Sequence, residues 1–494
     1  MENFSDRGIK NSVDWHLVVC YLLLVFIGWV NIYASIHSDN PSSIFDFSFR
    51  SGKQFIWILT SLALAATILF ALNSRFWESV SFPAYLFVLV LLVAVIFLGE
   101  ETKGSRSWFE FGQVKFQPAE ISKITTSLLL ATVMSQTNFR ITKIKDFLKA
   151  AIVIVIPMII ILAESETGSA LVYVGLIFVL YREGFSGWWL FCLGMAILLF
   201  ILTLTTSIYT SIMVLIGIVL VCNWLNSGKL GAGVFIELGL FILLCFLPGF
   251  FAAPEIPEGA EIAGEGAEAV ETTVSLLPAY ILTALSVCGV IVYLIKGYKE
   301  KNRFMSLSSL GLLVGIVLVF STSFIFNDVL QNHQRKRIEV LLGLKDDPTG
   351  VGYNVNQSMI AIGSGGLTGK GFLNGTQTTF GFVPEQSTDF IFCTVGEEWG
   401  FLGCLVVVML YVYLIGRLIH DAEHSREAFT RIYGYCVASC VFMHLFINVG
   451  MTIGIMPVIG IPLPLLSYGG SSLWAFTVLI FIFIALYRQE KKYY

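Results

Sequence analysis

Stretches of about 20 mostly apolar residues recur along the chain and are separated by polar segments. A membrane-spanning α-helix needs about 20 such residues, so each stretch predicts one span. The predicted spans are 13–36, 53–72, 78–98, 119–136, 147–163, 168–182, 187–205, 208–226, 232–250, 277–296, 306–326, 400–419, 432–452 and 470–488. This pattern predicts an all-α polytopic membrane protein with about 14 transmembrane helices.

The composition excludes a water-soluble protein of this length. Of the 494 residues, 56% are hydrophobic and only 13% are charged, about half of the roughly 25% charged residues in ordinary globular proteins. So few charges could not cover the surface of soluble domains. The lipid bilayer is therefore expected to be the main solvent of the chain.

The distribution of basic residues predicts the orientation. With a cytoplasmic N-terminus, 19 of the 30 Lys and Arg residues fall in inner segments, and cytoplasmic loops carry such an excess. We therefore expect both termini to be cytoplasmic. The other 11 gather in three outer regions, 50–53, 103–123 and 335–370, whereas the outer loop 250–275 carries Glu and no Lys or Arg. This pattern suggests an anionic ligand outside, with ordinary salt bridges between loops as the alternative.

The longest outer segment, 327–399, is too long to be a simple connection between two spans. Near its start, Arg335 and Arg337 precede an apolar patch, which is typical of a basic amphipathic helix that meets phosphate headgroups. Farther on, Asp347 precedes a Pro, which by itself indicates a turn. The following Gly-rich stretch nearly matches a phosphate-binding P-loop, but Ser364 and Gly371 stand at positions that require other residues. Nucleotide binding is therefore not expected.

Acidic and basic side chains also mark the outer ends of spans. Glu120 and Lys123 lie three residues apart at the start of the fourth span, and Glu164 and Glu166 follow the fifth. A charge near the bilayer centre costs roughly 2.5–3.5 kcal/mol, so such groups usually face a cavity or a partner. For Glu120 and Lys123, a salt bridge that locks helices together is the alternative.

Five long motifs occur in a characteristic order. They are GSRSWFEFGQVKFQPAEISK (104–123), ESETGSAL (164–171), DPTGVGYNVNQSMIAIGSGGLTGKGFLNGTQ (347–377), VPEQSTDFIFCTVGEEWGFLG (383–403) and NVGMTIGIMPVIGIPLPLLSYGGSS (448–472). On these motifs the chain resembles the SEDS family (shape, elongation, division and sporulation). The NGTQ and PVIGIPLP elements resemble its elongation branch, RodA, rather than its division branch, FtsW. The resemblance covers roughly 13–205 and 306–488.

The resemblance implies a peptidoglycan glycosyltransferase that polymerises lipid II at the outer face of the bacterial cytoplasmic membrane during elongation and rod-shape maintenance. It also implies a class B penicillin-binding protein, a transpeptidase, as partner within the elongation complex, and no nucleic acid. The outer basic residues fit this chemistry because a pyrophosphate must be bound and must leave as an anion.

The resemblance also implies roles for matching residues. Asp347 matches an essential acidic residue and is the expected general base for the acceptor hydroxyl. The polar group before the fourth span is matched by Lys115, Gln117, Glu120 and Lys123. Further expected contacts to substrate or lipid phosphate from this resemblance are Arg50, Lys53, Arg106, Glu166, Asp389 and Ser467. The basic amphipathic pattern, not the resemblance, adds Arg335 and Arg337.

The middle of the chain departs from the family, whose elongation members typically have ten spans. We therefore expect a first core part at 1–205, inserted helices with the acidic outer loop at 206–305, and a second core part with the catalytic loop at 306–494. Four added spans preserve parity, so the catalytic loop stays outside.

Two other functions fit the same features. A lipid-linked sugar transporter, or lipid II flippase, would use the same cavity and charges, and a scaffold would recruit partners without turnover. Whether a divalent cation such as Mg²⁺ or Mn²⁺ assists pyrophosphate departure is not determined by the sequence.

Overall fold

A computed structural model describes most of the chain. It covers residues 13–36, 43–102, 105–111, 114–227, 232–246, 265–299, 301–330, 335–336, 338–339, 342, 344 and 352–493. Within these residues, 11 helices are long and apolar enough to cross a membrane, judged by length and composition.

The chain divides into two compact units: unit 1 comprises Met1–Ser186 and Asp347–Tyr494, and unit 2 comprises Gly187–Asp346. The helices of unit 1 are α1 Trp15–Ala34, α2 Arg50–Ala71, α3 Ser74–Leu98, α4 Pro118–Met134, α5 Ile144–Ala163, α6 Thr167–Val174, α7 Ile177–Arg182, α13 Tyr353–Ser364, α14 Thr376–Thr379, α15 Ile391–Glu423, α16 Ala428–Thr452 and α17 Gly470–Tyr493. The helices of unit 2 are α8 Trp188–Thr205, α9 Ile208–Ser227, α10 Ala232–Cys245, α11 Glu265–Lys299 and α12 Arg303–Phe324, which continues into a π-helical segment, Ile325–Val329.

Helices α16 and α17 form the centre of unit 1. The protein buries 83% of the most apolar part of α16 and 72% of that of α17, but only 22% of that of α2. Helix α16 packs against α4, α15 and α17. A helix surrounded by protein on all sides can carry polar groups that lipid would not tolerate, because neighbouring helices supply their partners. The polar residues of α16 are therefore central to the site described below.

A small antiparallel sheet joins α3 to α4 and adds to the predicted helical fold. Its strands are β1 Glu100–Thr102, β2 Ser105–Phe111 and β3 Val114–Phe116, in the order β1-β2-β3. Phe109 pairs with Phe116, and Glu110 pairs with Lys115. The apolar-run pattern did not predict this sheet because its strands are too short and too polar to resemble a span.

Each of the 14 predicted spans coincides with helical structure, although not all of these helices reach the length of a span. Helix α4 has 17 residues, and the apolar helical stretches Thr167–Arg182 and Phe235–Cys245 are also short. A polytopic helical membrane protein is therefore confirmed, while the exact number of 14 spans stays a prediction.

The boundaries between the two units differ from the division predicted at 206 and 305. Helices α8 and α12 pack against each other and against α9, so both belong to unit 2. The apolar runs gave no information on which helices contact each other, and the predicted boundaries depended on family resemblance alone.

The predicted outer loop 327–399 is shorter than expected and contains helices. Helix α15 begins at Ile391 rather than near 400, and α13 and α14 lie within the segment. At Gly400 the backbone leaves helical geometry, with φ of 65° and ψ of −163°, so α15 consists of a short and a long helix joined at a kink. The span was predicted to begin at 400 because polar residues interrupt the apolar pattern before the kink, so the first, buried part of this helix was not predicted.

Candidate functional site

The polar ends of several helices meet at one end of unit 1. Because successive spans run in opposite directions, the C-terminal ends of α1, α5 and α16 lie on the same side as the N-terminal ends of α2, α4, α15 and α17. Most of the predicted site residues of unit 1 lie at these helix ends or in the loops between them. The alternation of the helices thus gathers residues that are hundreds of positions apart.

Lys123 is the most deeply buried cation of this region, with 3% of its side chain exposed. Its Nζ lies 2.9 Å from Glu120 Oε1 and 2.8 Å from His444 Nε2, and 4.9 Å from the centre of the Phe476 ring. The i,i+3 spacing places Glu120 and Lys123 on one face of α4, as predicted. His444 comes from α16 and was missed, since one His within an apolar run gives no functional signal.

The hydrogen bonds of His444 determine which of its nitrogens carries the proton. Lys123 donates to Nε2, so Nε2 must be the acceptor, and Nδ1 then donates to the Pro462 carbonyl at 3.2 Å. Lys123 is thereby linked to the loop that follows α16.

Glu120 keeps one carboxylate oxygen available. Its Oε2 is buried and has no hydrogen-bond partner among the residues that the structure describes. Buried polar atoms are usually paired, and an exception at a cluster of charges points to a missing partner such as substrate or water. Gln117, at the N-cap position of α4, is also buried but makes no side-chain capping bond. The unpartnered Glu120 oxygen is therefore available for binding, and Gln117 lies beside it in sequence at the start of α4.

Arg50 and Ser467 contact the same loop. Arg50 Nη1 donates to Ser387 Oγ at 2.5 Å, and its guanidinium lies 5.6 Å from the centre of the Tyr468 ring. Ser467 Oγ donates to the Thr388 carbonyl at 2.6 Å, and Tyr468 N donates to the Ser387 carbonyl at 2.8 Å. Ser467 therefore holds the loop in place, while Arg50 projects a cation beside it.

A polar cavity of about 480 Å³ adjoins Arg50. Its lining comes from the end of α1, the start of α2 and the 381–387 segment: Ser35, Ile36, Ser48, Phe49, Arg50, Gly381, Val383, Pro384, Glu385, Gln386 and Ser387. A cavity of this volume falls within the range of about 300–1,000 Å³ that is typical of ligand sites. Among the described residues of this lining, Arg50 is the only basic one and Glu385 the only acidic one, so Arg50 is the group that could bind an anion here.

Asp389 is held through its backbone by Asn448. The Asn448 Nδ2 group donates to the Asp389 carbonyl at 2.8 Å and to the Ile461 carbonyl at 2.7 Å. Asn448 follows His444 by about one helical turn on α16, so one face of this helix contacts both the Lys123 cluster and the Asp389 loop. Asn448 lies at the start of the 448–472 motif, but the sequence by itself indicates no role for it.

Two carboxylates lie between α5 and α6. Ser107 Oγ donates to Glu166 Oε1 at 2.6 Å, and Ser105 Oγ donates to the same oxygen at 3.2 Å, so the small sheet positions Glu166. Glu164 is 2% exposed, and neither of its carboxylate oxygens has a partner among the described residues. Burial, reinforced by the nearby Glu166 charge, raises the pKa of Glu164 to about 8. Glu164 is therefore mostly protonated at neutral pH.

The Gly-rich segment that resembled a P-loop is bound to the first part of α15. Glu397 is fully buried and accepts hydrogen bonds from Lys370 Nζ at 2.7 Å, Gln377 N at 2.8 Å and Thr378 N at 2.9 Å. A carboxylate that accepts this many bonds is strongly held. Glu397 thus fixes the fold of the segment, and Lys370 serves that structure rather than a nucleotide phosphate.

The contacts described above do not include the other predicted site residues. Lys53 and Arg106 are exposed, and the Lys115 backbone lies in β3. In unit 2, Arg335 pairs with Glu339 at 2.9 Å and lies 5.1 Å from the centre of the Phe326 ring. The structure does not describe two further predicted residues, Asp347 and Arg337.

Within the described ranges, no group of three or more His, Cys, Asp or Glu side chains is arranged to hold a metal ion.

Comparison with known proteins identifies similar sequences over most of the chain. The profile of the FtsW, RodA and SpoVE family, described as cell cycle proteins, matches residues 14–243 and 281–492. The peptidoglycan glycosyltransferase RodA of Treponema pallidum (strain Nichols) is 30% identical over 472 residues, which are 95% of this chain and 95% of that protein. The peptidoglycan glycosyltransferase MrdB of Escherichia coli K12 is 29% identical over 399 residues, 81% of this chain and 75% of MrdB.

Solved structures share the fold. The rod shape determining protein RodA of Thermus thermophilus matches with a TM-score of 0.53 and 21% identity, covering 97% of each chain. A chain from a peptidoglycan synthase complex, described as coordinating polymerization and crosslinking, matches with a TM-score of 0.59 and 21% identity, covering 97% of this chain and 98% of that chain.

Proposed function

This chain belongs to the FtsW/RodA/SpoVE (SEDS) family of cell cycle proteins, and we propose that it is a peptidoglycan glycosyltransferase of cell elongation that polymerises lipid II. The observation that carries this proposal is the match, over 95% of both chains, to a protein named as a peptidoglycan glycosyltransferase. The polar cavity beside Arg50 and the buried Lys123 cluster support it, because both put cationic groups at the predicted outer end of unit 1.

In the proposed reaction, Asp347 removes the proton from the acceptor sugar hydroxyl. The resulting oxygen nucleophile forms a bond to the anomeric carbon of the second sugar, whose bond to the lipid pyrophosphate breaks. The pyrophosphate leaves with the electron pair as an anion. A positioned general base contributes roughly 10²–10⁴-fold to such a step.

The described residues have two roles in this proposal. Arg50 contacts the anionic pyrophosphate from the wall of the polar cavity, and the hydrogen bond from Arg50 to Ser387 fixes its direction. Lys123 and Glu120 bind the polar part of the substrate, with the unpartnered Glu120 Oε2 as acceptor. A group stabilises developing charge most effectively when it is already oriented in a site that excludes water.

The proposal places the protein in the bacterial cytoplasmic membrane, with these residues facing the exterior or periplasm. Its partner in the elongation complex would be a class B penicillin-binding protein, which supplies the transpeptidase activity. The structural likeness to a chain of a peptidoglycan synthase complex supports such a partnership. A divalent cation that assists pyrophosphate departure stays a prediction, and no step above depends on it.

Purified protein, together with its transpeptidase partner and labelled lipid II, tests the proposal directly. We expect glycan strands from the wild type and a loss of at least about 100-fold in polymerisation rate for Asp347→Asn. The neighbouring Asp346→Asn is the matched control and should retain activity. Normal polymerisation by Asp347→Asn would refute the assignment of the base. Equilibration of lipid II across liposomes without any polymer would establish the transporter instead.

A further inference from the structure

Basic residues are concentrated in unit 2 where α11 ends and α12 begins. The segment 296–303, called the basic turn below, contains four Lys or Arg residues and one Glu: Lys296, Lys299, Glu300, Lys301 and Arg303. All four basic residues are exposed. Among the residues that the structure describes, none of the four takes part in a salt bridge. The reaction proposed above does not use them, so their charge is available to another partner.

The backbone around the basic turn is tightly folded. Asn302 N donates to the Gly297 carbonyl at 2.9 Å, and Asn302 Oδ1 accepts from Phe304 N at 3.2 Å and Met305 N at 3.3 Å. A Cβ at Gly297 would lie 2.6 Å from Ser306 Oγ, so α11 and α12 approach closely there. The basic side chains therefore extend from an ordered backbone, which lowers the entropy that binding would cost.

The lengths of the two helices place the basic turn at the depth of the lipid headgroups. The apolar part of α11, Leu277–Lys299, has 23 residues, and α12 has 22. At a rise of 1.5 Å per residue, each is about 33–35 Å long, whereas the hydrocarbon core of a bilayer is about 30 Å thick. Each helix is thus long enough to cross this core, and the turn that joins them emerges among the headgroups.

Three helices of unit 2 contribute exposed aromatic residues near the basic turn. Trp188, at the start of α8, packs against Phe304 on α12 with ring centres 5.5 Å apart. Near the end of α9, Asn223 accepts a hydrogen bond from Ser308 on α12 at 2.7 Å, and an exposed Trp follows it. The exposed aromatic residues are Trp188, Trp189, Trp224 and Tyr298, which is 85% exposed. Trp and Tyr side chains favour the interface between membrane and water, which agrees with the depth given by the helix lengths.

A second basic segment, on the same predicted side of the membrane, differs from the basic turn. Residues 140–149 also contain four Lys or Arg residues, but no Trp or Tyr, and Lys149 pairs with Asp146 at 3.1 Å. The accumulation of basic residues in cytoplasmic loops accounts for the charge of both segments. It does not account for the aromatic residues near the basic turn.

We propose that the basic turn binds the headgroup phosphates of anionic phospholipids, with the nearby aromatic side chains at the boundary between headgroups and acyl chains. Each Lys or Arg close to an anionic membrane surface strengthens the attraction about fivefold. A zwitterionic lipid gains less, because its ammonium group offsets the charge of its phosphate. The basic turn thus selects lipids by headgroup charge and anchors unit 2 in an anionic membrane.

Photolabelling of the full-length protein in phosphatidylcholine nanodiscs tests this site. The probe is phosphatidylglycerol with a diazirine near the glycerol end of one acyl chain, and mass spectrometry locates the label. We expect saturable labelling of peptides that contain Trp188, Trp224 or Tyr298. Unlabelled phosphatidylglycerol should prevent it at a concentration at least about tenfold lower than phosphatidylethanolamine with the same acyl chains. The measurement does not involve polymerisation, so its outcome is independent of the proposed function.

Paired substitutions separate the charge of the basic turn from its structure. Lys299→Gln with Lys301→Gln should weaken binding of the probe about 25-fold, at about fivefold per residue, whereas Lys299→Arg with Lys301→Arg keeps the charge and should bind like the wild type. Lys143→Gln with Lys145→Gln is the matched control, because it removes the same charge from the second basic segment, and it should leave labelling near the basic turn unchanged. Labelling that both competitors prevent equally, that persists in the first Gln variant, or that falls equally in the control would overturn the proposal.

Discussion

At the scale of single residues, the site depends on charges that the protein buries together with their partners. Lys123 has three: a carboxylate, an imidazole and an aromatic ring. Removing one member of a buried charged pair typically costs about 3–5 kcal/mol, since the other charge is left uncompensated. The salt-bridge alternative for Glu120 and Lys123 is thus partly correct, because the pair forms. Lys123 also contacts His444, and one Glu120 oxygen has no partner among the described residues, so the pair does more than join two helices.

Glu164 makes the stability of the protein pH-dependent. Burial raises its pKa from 4.5 to about 8, so between these values the unfolded chain releases a proton that the folded protein retains. Stability from this group is complete below about pH 4.5 and is lost as pH rises towards 8. We expect the melting temperature of Glu164→Gln to exceed that of the wild type by an increasing margin from pH 5 to 8, and by a constant margin above.

Asp46→Asn is the control for this measurement. Hydrogen bonds from Ser48 lower the pKa of Asp46 below 3.8. The stability that ionised Asp46 contributes to the folded protein is therefore fully present above pH 3.8. The difference in melting temperature between Asp46→Asn and the wild type should therefore be constant from pH 5 to 9. A constant difference for Glu164→Gln would show that Glu164 is ionised in the folded protein.

At the scale of elements, the kink in α15 allows the Gly-rich segment to pack against the helix. Phe401 N donates to the Gly366 carbonyl at 2.9 Å, and Lys370 N donates to the Glu397 carbonyl at 3.0 Å. Backbone groups at membrane depth must be paired within the protein, and the kink supplies these partners. The Gly-rich segment and the kinked part of α15 therefore form one structural element. Neither the glycines nor the apolar run of α15 predicted this contact.

Gly400→Ala should disrupt this element. A Cβ at Gly400 would lie 2.3 Å from the Gly369 N, and its φ of +65° disfavours other residues. We expect a loss of about 1–3 kcal/mol and a lower melting temperature in detergent, with reduced polymerisation. Gly416→Ala in the same helix meets no atom within 4 Å and should be neutral or stabilising, as Ala favours helix over Gly by about 1 kcal/mol. Equal stability of the two variants would contradict the role of the kink.

At the scale of the whole molecule, the function requires the polar helix ends of unit 1 to face the exterior. The alternation of helices brings Arg50, Lys123, Glu166 and Asp389 to one end. Which side of the membrane that end faces depends on the distribution of Lys and Arg in the loops, because the fold itself is compatible with either orientation.

Reporter fusions measure this orientation. A fluorescent protein that folds only in the cytoplasm should be fluorescent when fused after Tyr494, because the terminal segment carries Arg488, Lys491 and Lys492. Alkaline phosphatase, which requires the exterior, should be active when inserted within 250–275, the segment without Lys or Arg. The opposite pair of results would place the polar helix ends in the cytoplasm and exclude the proposed polymerisation at the outer face.

Several site residues could be predicted from the sequence, but their contacts could not. Motif resemblance predicts Arg50, Lys123, Glu166 and Ser467 as site residues, and their binding roles stay predictions. The i,i+3 spacing predicted the Glu120–Lys123 pair, which the structure contains. Neither the motifs nor the spacing predicted His444, because the role of His444 depends on the approach of α16 to α4. The role of Asp347 and the substrate contacts stay predictions.

The sequence by itself determined the solvent, the helical class and the family, because apolar runs, scarce charges and ordered motifs are local properties of the chain. Only the tertiary structure decided which polar groups meet, where the two units divide and where α15 bends. These features depend on contacts between residues far apart in the chain, such as Lys123 and His444, or Glu397 and the 370–378 segment. Apolar periodicity shows that a helix is buried or lies in lipid, but not which neighbour it contacts, because many partners satisfy the same apolar face.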